Sequence, residues 1–507
     1  MDPISGSIIG ITGAMIAVGR AQQKRRLKKA IERTAGPFTP PAVYSHHGNG
    51  FATDAECAKG KLFAWSGSKL GFSVESGRQF RYGNPEAHGV IFGPTSCGKS
   101  SAIIAPNLMT DSGTARVFMD PKAAELTQIV GKYLAGLGPF FAWAPYGLPG
   151  KTPHGVRIAR ANLLAPILRR DTPRNRRRMM AKALADGIVA EEVGHNAFFL
   201  RNARELGTDC ILAAIGVSSN PGKLTLPGVL KDVCVDFERF CDVIVSAEHS
   251  EWSPIFAGYK SRLGKDRGFD SVVGTLQAEA AFLRDEAIAE AFGADEIPFH
   301  QLGAQMMSIS SCLPLEMLDQ AGKVNRLWAS FILGQAINSL RPRKTKIDLW
   351  FDEAASFGKL DSIVAGYRTG RAYGVRLWTC FTDVPTMDEV YGQGDAASIR
   401  GNSSVQIYFP GKDVGTALHV SRQASVKDVV TRGKSVSYDR EGWPTLSESW
   451  SQHQREVVTA GEFQDLDPNL HLIWVRGVPG VIKAKHVPYF KQWRYFGKYG
   501  KNNLYGG

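Results

Sequence analysis

The chain has 507 residues, 43% of them hydrophobic, and 61 Lys and Arg against 48 Asp and Glu give it a formal charge of +13. That length holds two or three domains with sizeable cores and excludes an intrinsically disordered chain, while the basic balance favours polyanionic partners, nucleic acid or an anionic membrane face. Its seven cysteines include no C-x-x-C pair and read as free thiols of a reducing compartment, and its eleven histidines show no zinc spacing.

Pro3–Gly19 contains no charged residue, and Gly6 and Gly10 stand in G-x-x-x-G spacing. As a helix this stretch spans about 25 Å, slightly short of a hydrocarbon core about 30 Å thick. The basic run Arg20, Lys24, Arg25, Arg26, Lys28, Lys29 and Arg33 follows at once. That is the positive-inside pattern, which puts the bulk of the chain in the cytoplasm, and a secretory signal would carry its charges ahead of the apolar run. Residues 1–36 are therefore expected to be a membrane anchor with a basic juxtamembrane segment; the alternative is a buried soluble N-terminus. Pro37-Phe38-Thr39-Pro40-Pro41 reads as a stiff linker, and residues 45–87 as small strands and turns.

The apolar run His88-Gly89-Val90-Ile91-Phe92 then leads into Gly93-Pro94-Thr95-Ser96-Cys97-Gly98-Lys99-Ser100, followed by Ser101. This is the G-x-x-x-x-G-K-[ST] pattern of a phosphate-binding loop. Gly93 and Gly98 let the backbone curl so that successive N–H groups face phosphate oxygens. Lys99 is expected at the β- and γ-phosphates, with the Ser100 hydroxyl on Mg²⁺. The residues from Ser101 onward can start a helix whose positive end adds to the anion site. A glycine turn between two buried elements is the other reading. Cys97 sits at a helix N-terminus, a position that lowers a thiol pKa and makes it a candidate for alkylation that blocks ATP.

Ala115–Met119, ending in Asp120-Pro121-Lys122, and Pro139–Trp143 read as buried strands, so strands alternate with helices as in a doubly wound, mostly parallel α/β sheet. Ligands sit at the carboxyl ends of such strands. From 168 to 298 the character changes to a charged, helix-friendly span opening with Arg169, Arg170, Arg174, Arg176, Arg177 and Arg178. We expect an all-α insertion with helices near Met179–Glu192, Ala197–Gly216 and Ser271–Phe292. Its arginines either grip phosphates or form a solvated helix face. The first part of the nucleotide-binding domain is then 37–167, and its second part, with the C-terminal tail, 299–507.

In that second part Gln305–Ser310 reads as a strand and Leu315–Leu340 as a long helix. Ile347–Phe351 is an apolar strand ending in Asp352-Glu353. Following a phosphate loop, a strand-terminal Asp holds Mg²⁺ through water, and the adjacent Glu polarises the attacking water. Val375–Phe381 and Ser404–Phe409 supply further core strands. Thr431–Arg455, rich in Ser, Arg and Glu, reads as a mobile excursion before the last strands. Tyr489–Gly507 reads as a tail that docks its aromatics and leaves the end disordered.

Taken together, Gly93–Ser100, Asp120-Pro121-Lys122, the run Asp352-Glu353-Ala354-Ala355-Ser356-Phe357-Gly358-Lys359-Leu360, and Gly370-Arg371-Ala372-Tyr373-Gly374 stand in an order that resembles the type IV coupling proteins, conjugative-transfer ATPases of bacterial type IV secretion systems. The resemblance runs discontinuously from about residue 45 to the C-terminus. It implies a RecA-like motor domain with an all-α domain, anchored in the bacterial inner membrane and assembled as a hexameric ring. It implies ATP and Mg²⁺ as ligands, with Lys99, Glu353 and Arg371 catalytic and Ser100 and Asp352 on the metal. Arg371, 19 residues past Asp352, matches the arginine that a neighbouring subunit offers to the γ-phosphate. The implied partners are DNA with its relaxase, or another secreted protein, and the secretion channel.

Two features depart from the family pattern. It usually has two N-terminal membrane helices, where one short candidate is found here, and it usually has a γ-phosphate-sensing glutamine where Thr382 stands. A threonine hydroxyl has shorter reach than a glutamine amide. That keeps a second reading open, a platform that binds ATP to assemble and recruits protein effectors with little hydrolysis. A third reading, a segregation-type DNA translocase of related motor fold, is disfavoured by the Asp352–Leu360 segment.

Overall fold

The computed structural model describes residues 50–501 apart from 85, 111–112, 191–195, 248–249, 315–317, 338–343 and 439–443, together with 18–19, 21–27 and 29. These fall into two units, one drawn from 1–51 and 421–459 and the other from 52–420 and 460–507. The expected anchor and the linker at 37–41 lie outside the described residues, except for residues 18 and 19. Among the described residues no helix is long and apolar enough to cross a membrane.

The strands in chain order are β1 (Ser68–Ser73), β2 (Gln79–Tyr82), β3 (Gly89–Phe92), β4 (Ala115–Asp120), β5 (Phe140–Trp143), β6 (Val156–Ile158), β7 (Ser308–Cys312), β8 (Ile347–Phe351), β9 (Val375–Phe381) and β10 (Val405–Tyr408). β11 (Val426–Tyr438) and β12 (Pro444–Glu456) belong to the smaller unit, and β13 (Leu470–Val475) and β14 (Ile482–Lys485) to the larger. The larger unit's strands form a 12-stranded sheet in the order β2-β1-β14-β13-β10-β3-β9-β8-β4-β7-β5-β6. From β10 to β6 every neighbouring pair is parallel. β13, β14, β1 and β2 continue the sheet antiparallel.

Strands of the parallel block are covered on both faces, which is why they read as unbroken apolar runs rather than alternating ones. β3, β4, β5, β8 and β9 are buried along their whole length. Trp350 on β8 and Trp378 on β9 stack with ring centroids 4.8 Å apart. Gly89 opens β3 without a side chain because any Cβ there would collide with the Trp378 ring. The phosphate-loop strand can therefore lie flat against this aromatic pair.

One ion pair is embedded in the same wall. Arg376 on β9 donates through Nε and Nη2 to both oxygens of Asp348 on β8, its register partner, and the Thr114 hydroxyl donates to Asp348 Oδ2 at 3.2 Å. Arg376→Met leaves a carboxylate without its counter-charge in the interior, a defect that costs about 3–5 kcal/mol. A urea titration should show it as a lowered midpoint. The joint change Asp348→Leu with Arg376→Met should lose less, because no charge is then stranded.

Between Ala165 and Gln301 every described element is helical. The expected Met179–Glu192 helix runs from Arg174 to Ile188, and the Ala197–Gly216 helix is Ala197–Val217. The stretch expected as one helix over Ser271–Phe292 is three pieces, Arg267–Ala280, Ala281–Arg284 and Glu286–Ala291. Asp285 makes the break: its carboxylate accepts the Ile288 N–H at 3.1 Å as an N-cap, which restarts the helix. Within the arginine cluster, Arg169 pairs with Asp171 at 3.1 Å, and Arg178 with Glu205 and Asp209 at 3.4 and 3.3 Å. Those two charges are met within the helical span itself. Further on, the expected strand Gln305–Ser310 is shifted to β7, and the helix expected over Leu315–Leu340 is Leu318–Ile337.

The smaller unit corrects one expectation. The described residues of the 431–455 stretch lie in a 13-residue by 13-residue antiparallel ribbon, β11 with β12, in continuous register from Val426↔Glu456 to Tyr438↔Pro444. Its Ser content had the composition of a loop, but Val, Thr and Tyr stand along β11 and Thr and Trp in β12, and those residues favour extended backbone.

Candidate nucleotide site

The phosphate loop leaves the carboxyl end of β3 and is shaped by two glycines for different reasons. A Cβ on Gly93 would stand 2.7 Å from the Cys97 sulfur and 2.8 Å from Phe409 Cβ, so Gly93 is required by space. Gly98 has φ +99° and is required by conformation. Between them Ser96 also takes a left-handed conformation, φ +64°. The turn after Gly98 is a π-type turn over Lys99–Ile104, which passes into the short α-helix Ala105–Leu108. The regular helix expected from Ser101 is therefore widened at its start. Pro106, which has no N–H to give to the helical ladder, stands where the two meet.

Lys99 is buried, and its ammonium donates to the loop carbonyls of Gly93 and, at 2.9 Å, Pro94. The carbonyls hold the charge where polyphosphate oxygens would receive it. Ser100, 252 residues from Asp352 in the chain, donates its hydroxyl to Asp352 Oδ2 at 3.2 Å. Lys122, from the turn after β4, reaches the same oxygen at 3.5 Å. Burial works against the Lys122 charge, but the carboxylates of Asp352 and Glu353 outweigh it and raise its pKa. The structure joins Lys122 to the acidic pair.

Asp352 is 2% exposed, and its second oxygen, Oδ1, is buried without a hydrogen-bond partner. A buried carboxylate oxygen with nothing to accept is an unmet demand for a cation or donor. Together with the Ser100 hydroxyl it fits Mg²⁺, an ion held by one or two protein oxygens while phosphates and water complete its octahedron. No group of three or more His, Cys, Asp and Glu that could hold a metal occurs among the described residues, and such a site does not call for one.

Glu353 sits in the left-handed region, φ +63° and ψ +45°. For a residue with a side chain that conformation stores roughly 1–3 kcal/mol. The 3₁₀ turn Ala354–Phe357 holds it there, with the Ser356 N–H and hydroxyl both donating to the Glu353 carbonyl at 3.0 and 2.8 Å. The Glu353 carboxylate is close enough to Lys122 to help raise that lysine's pKa. β9 lies between β3 and β8, so Thr382, the residue after β9, emerges between the phosphate loop and the acidic pair.

Arg371 is placed elsewhere. It precedes β9 in the turn Gly370–Tyr373, and β9 runs parallel to β3, so it lies at the sheet edge opposite the phosphate loop. Its Nη2 donates to the Asn402 carbonyl at 2.7 Å and the Ser404 hydroxyl at 2.9 Å. Within one chain the structure brings together Lys99, Ser100, Lys122, Asp352 and Glu353, and does not bring Arg371 to them.

Cys97 corrects a second expectation. Burial pushes its thiol pKa up, and the nearby Lys99 charge only partly offsets this. The loop is packed against Phe409 at Gly93, and this packing into the core outweighs the helix terminus.

A cavity of about 750 Å³ opens over the loop and is lined by Pro94 through Ser101 together with Lys122, Glu125 and the C-terminal residues Tyr489, Phe490, Tyr499, Gly500 and Lys501. Sequence reasoning placed no tail residue at this site; a tail dense in aromatic residues was the only signal. His486, just after β14, also reaches the loop, with its ring 3.4 Å from where a Gly98 Cβ would be.

The family described as Type IV secretory system Conjugative DNA transfer matches this chain over residues 49–504. The chain belongs to that family. Among its relatives are the VirD4 protein of Agrobacterium fabrum, 21% identical over 413 residues, and that of Rhizobium rhizogenes, 20% identical over 412, each alignment covering 80% of this chain. The chain spans about three fifths, 59%, of the length of these curated relatives. Solved structures of the bacterial conjugative coupling protein TrwB share the fold. Its unbound N-terminally truncated form gives a TM-score of 0.66 at 14% identity, over 88% of this chain and 94% of that one. A TrwB complex with ADP and Mg²⁺ gives 0.64 at 14% identity over 90% and 97%, and one with a non-hydrolysable ATP analogue 0.64 at 15% over 90% and 96%. The architecture of this family member is thus α/β, a largely parallel sheet carrying an inserted all-α segment, the fold it shares with TrwB.

Proposed function

We propose that this chain is the coupling ATPase of a type IV secretion system. In this reading it is a motor and receptor driven by Mg²⁺-ATP that takes up DNA with its relaxase, or a secreted protein, and delivers it to the secretion channel. It works as a homo-hexamer held at the bacterial inner membrane by residues 1–36, with the bulk of the chain in the cytoplasm and the helical span 168–298 as its all-α domain. The observation that carries the reading is the 3.2 Å contact between Ser100 and Asp352, which closes a phosphate loop onto a strand-terminal Asp-Glu pair.

Each residue then has one task. Lys99 exchanges its carbonyl partners for β- and γ-phosphate oxygens. Ser100 and Asp352 Oδ1 would hold Mg²⁺, which would supply positive charge against the charge that develops on the phosphates. Glu353 accepts a hydrogen bond from the attacking water and orients it. Lys122 holds Asp352 in place through its 3.5 Å ion pair. Contact with DNA is chiefly electrostatic, in keeping with the charge of +13, and so falls steeply with salt whatever the sequence.

Arg371 serves the neighbouring subunit's nucleotide. Its place across the sheet from its own loop supports this, since only another chain's γ-phosphate can come to it. Lys99→Ala and Arg371→Ala proteins should each hydrolyse ATP poorly in the presence of single-stranded DNA, the latter by roughly 10³-fold. Mixing them in equal amounts should restore measurable turnover, because some interfaces then combine an intact loop with an intact arginine. Mixtures no more active than their components would count against the ring arrangement.

A further inference from the structure

The cavity over the phosphate loop is built from two kinds of wall. The loop side is backbone N–H, hydroxyl and ammonium, fit for phosphates. The opposite side is aromatic and comes from the last described residues of the chain. Tyr489 is 5% exposed and packs edge-on against both Phe490, at 5.3 Å between centroids, and Tyr499, at 4.9 Å. Phe490 itself is 45% exposed. An aromatic ring left half in water, on a rigid support and facing a polyphosphate site, lacks only a flat apolar partner.

The support is firmly pinned. Tyr495 accepts a hydrogen bond from the buried Lys69 ammonium at 2.6 Å and donates to the Pro106 carbonyl at 3.3 Å, in the helix that follows the loop. Arg494 donates to Gln79 at 2.6 Å. Gly500 donates its N–H to the Ile129 carbonyl at 2.8 Å. It lies so close to the Gln128 carbonyl that no Cβ fits there. The segment is thereby clamped to the helix Glu125–Leu137 and to the loop's own helix at once.

We propose that this C-terminal segment is the base subsite of the nucleotide pocket, with a purine ring stacking on Phe490 and Tyr499 while the phosphates occupy the loop. The subsite rests on the nucleotide reading above. Aromatic faces accept any purine, so ATP and GTP should bind with affinities within about threefold of each other. The segment also gives the extreme C-terminal part of the chain a share in the site, although it lies some 400 residues from the loop in sequence.

Calorimetric titration of the full-length protein with ATP and, separately, with inorganic tripolyphosphate distinguishes the base subsite from the loop. Phe490→Ala should weaken ATP binding about tenfold and leave tripolyphosphate within about twofold, and Phe490→Trp should restore ATP. The fluorescence of 2-aminopurine riboside triphosphate should be quenched on wild-type protein, and less so on Phe490→Ala. Unchanged ATP affinity in Phe490→Ala overturns the subsite. So does an equal loss for both ligands, which would make Phe490 a prop for the loop. Wild-type protein that binds tripolyphosphate as tightly as ATP has no base subsite, whereas wild-type protein that binds neither refutes the nucleotide reading itself.

Discussion

Lys99→Ala should remove nucleotide binding and lower hydrolysis by roughly 10²–10³-fold or more, the scale seen when one charged or hydrogen-bonding group is withdrawn from developing transition-state charge. The structure makes the expectation specific. The Lys99 ammonium is buried among the Gly93 and Pro94 carbonyls. Its removal leaves those carbonyls unmet but opens little apolar volume, so the fold should survive. Equilibrium binding of a fluorescent ATP analogue measures the loss, and an unchanged urea midpoint shows that the sheet is intact.

Glu353→Gln should separate binding from chemistry. The amide matches the carboxylate in size and can occupy the same left-handed conformation, but it is a far weaker proton acceptor for the attacking water. Loss of a positioned general base costs typically 10²–10⁴-fold in turnover. Affinity for ATP and Mg²⁺ should stay close to wild type, because Asp352 and Ser100 are untouched. The signature is therefore a fall in kcat at unchanged Kd. A Glu353→Gln protein that hydrolyses normally would remove Glu353 from the reaction and leave Lys122 and Asp352 as the groups to examine.

Much of this was legible in the sequence, and for identifiable reasons. Strands buried on both faces leave continuous apolar runs, which is how β3, β4, β5, β8 and β9 could be picked out with their terminal residues. The phosphate loop was legible because its glycines answer two separate demands of the backbone, space at 93 and positive φ at 98. Less visible was what depends on contacts far apart in the chain. The position of β9 between β3 and β8, which puts Thr382 between loop and acids, is a fact of sheet order. The thiol of Cys97 was misjudged because the loop packs it against the buried core. The β11–β12 ribbon was missed because its pairing, not its composition, makes it regular. The aromatic tail looked like a docking segment, but only the fold shows that it docks beside the phosphate loop.

Thr382 is where the motor reading meets its sharpest test. A short hydroxyl between the loop and Glu353 either transmits the state of the γ-phosphate or leaves hydrolysis uncoupled from the DNA. The decisive measurement is steady-state ATP hydrolysis by the detergent-solubilised full-length protein, with and without single- and double-stranded DNA, beside Lys99→Ala and Glu353→Gln. The account predicts that DNA raises turnover in the wild-type protein and that both variants abolish the rise. Wild-type protein that binds ATP yet hydrolyses it no faster with DNA present would contradict the motor reading and favour a recruitment platform.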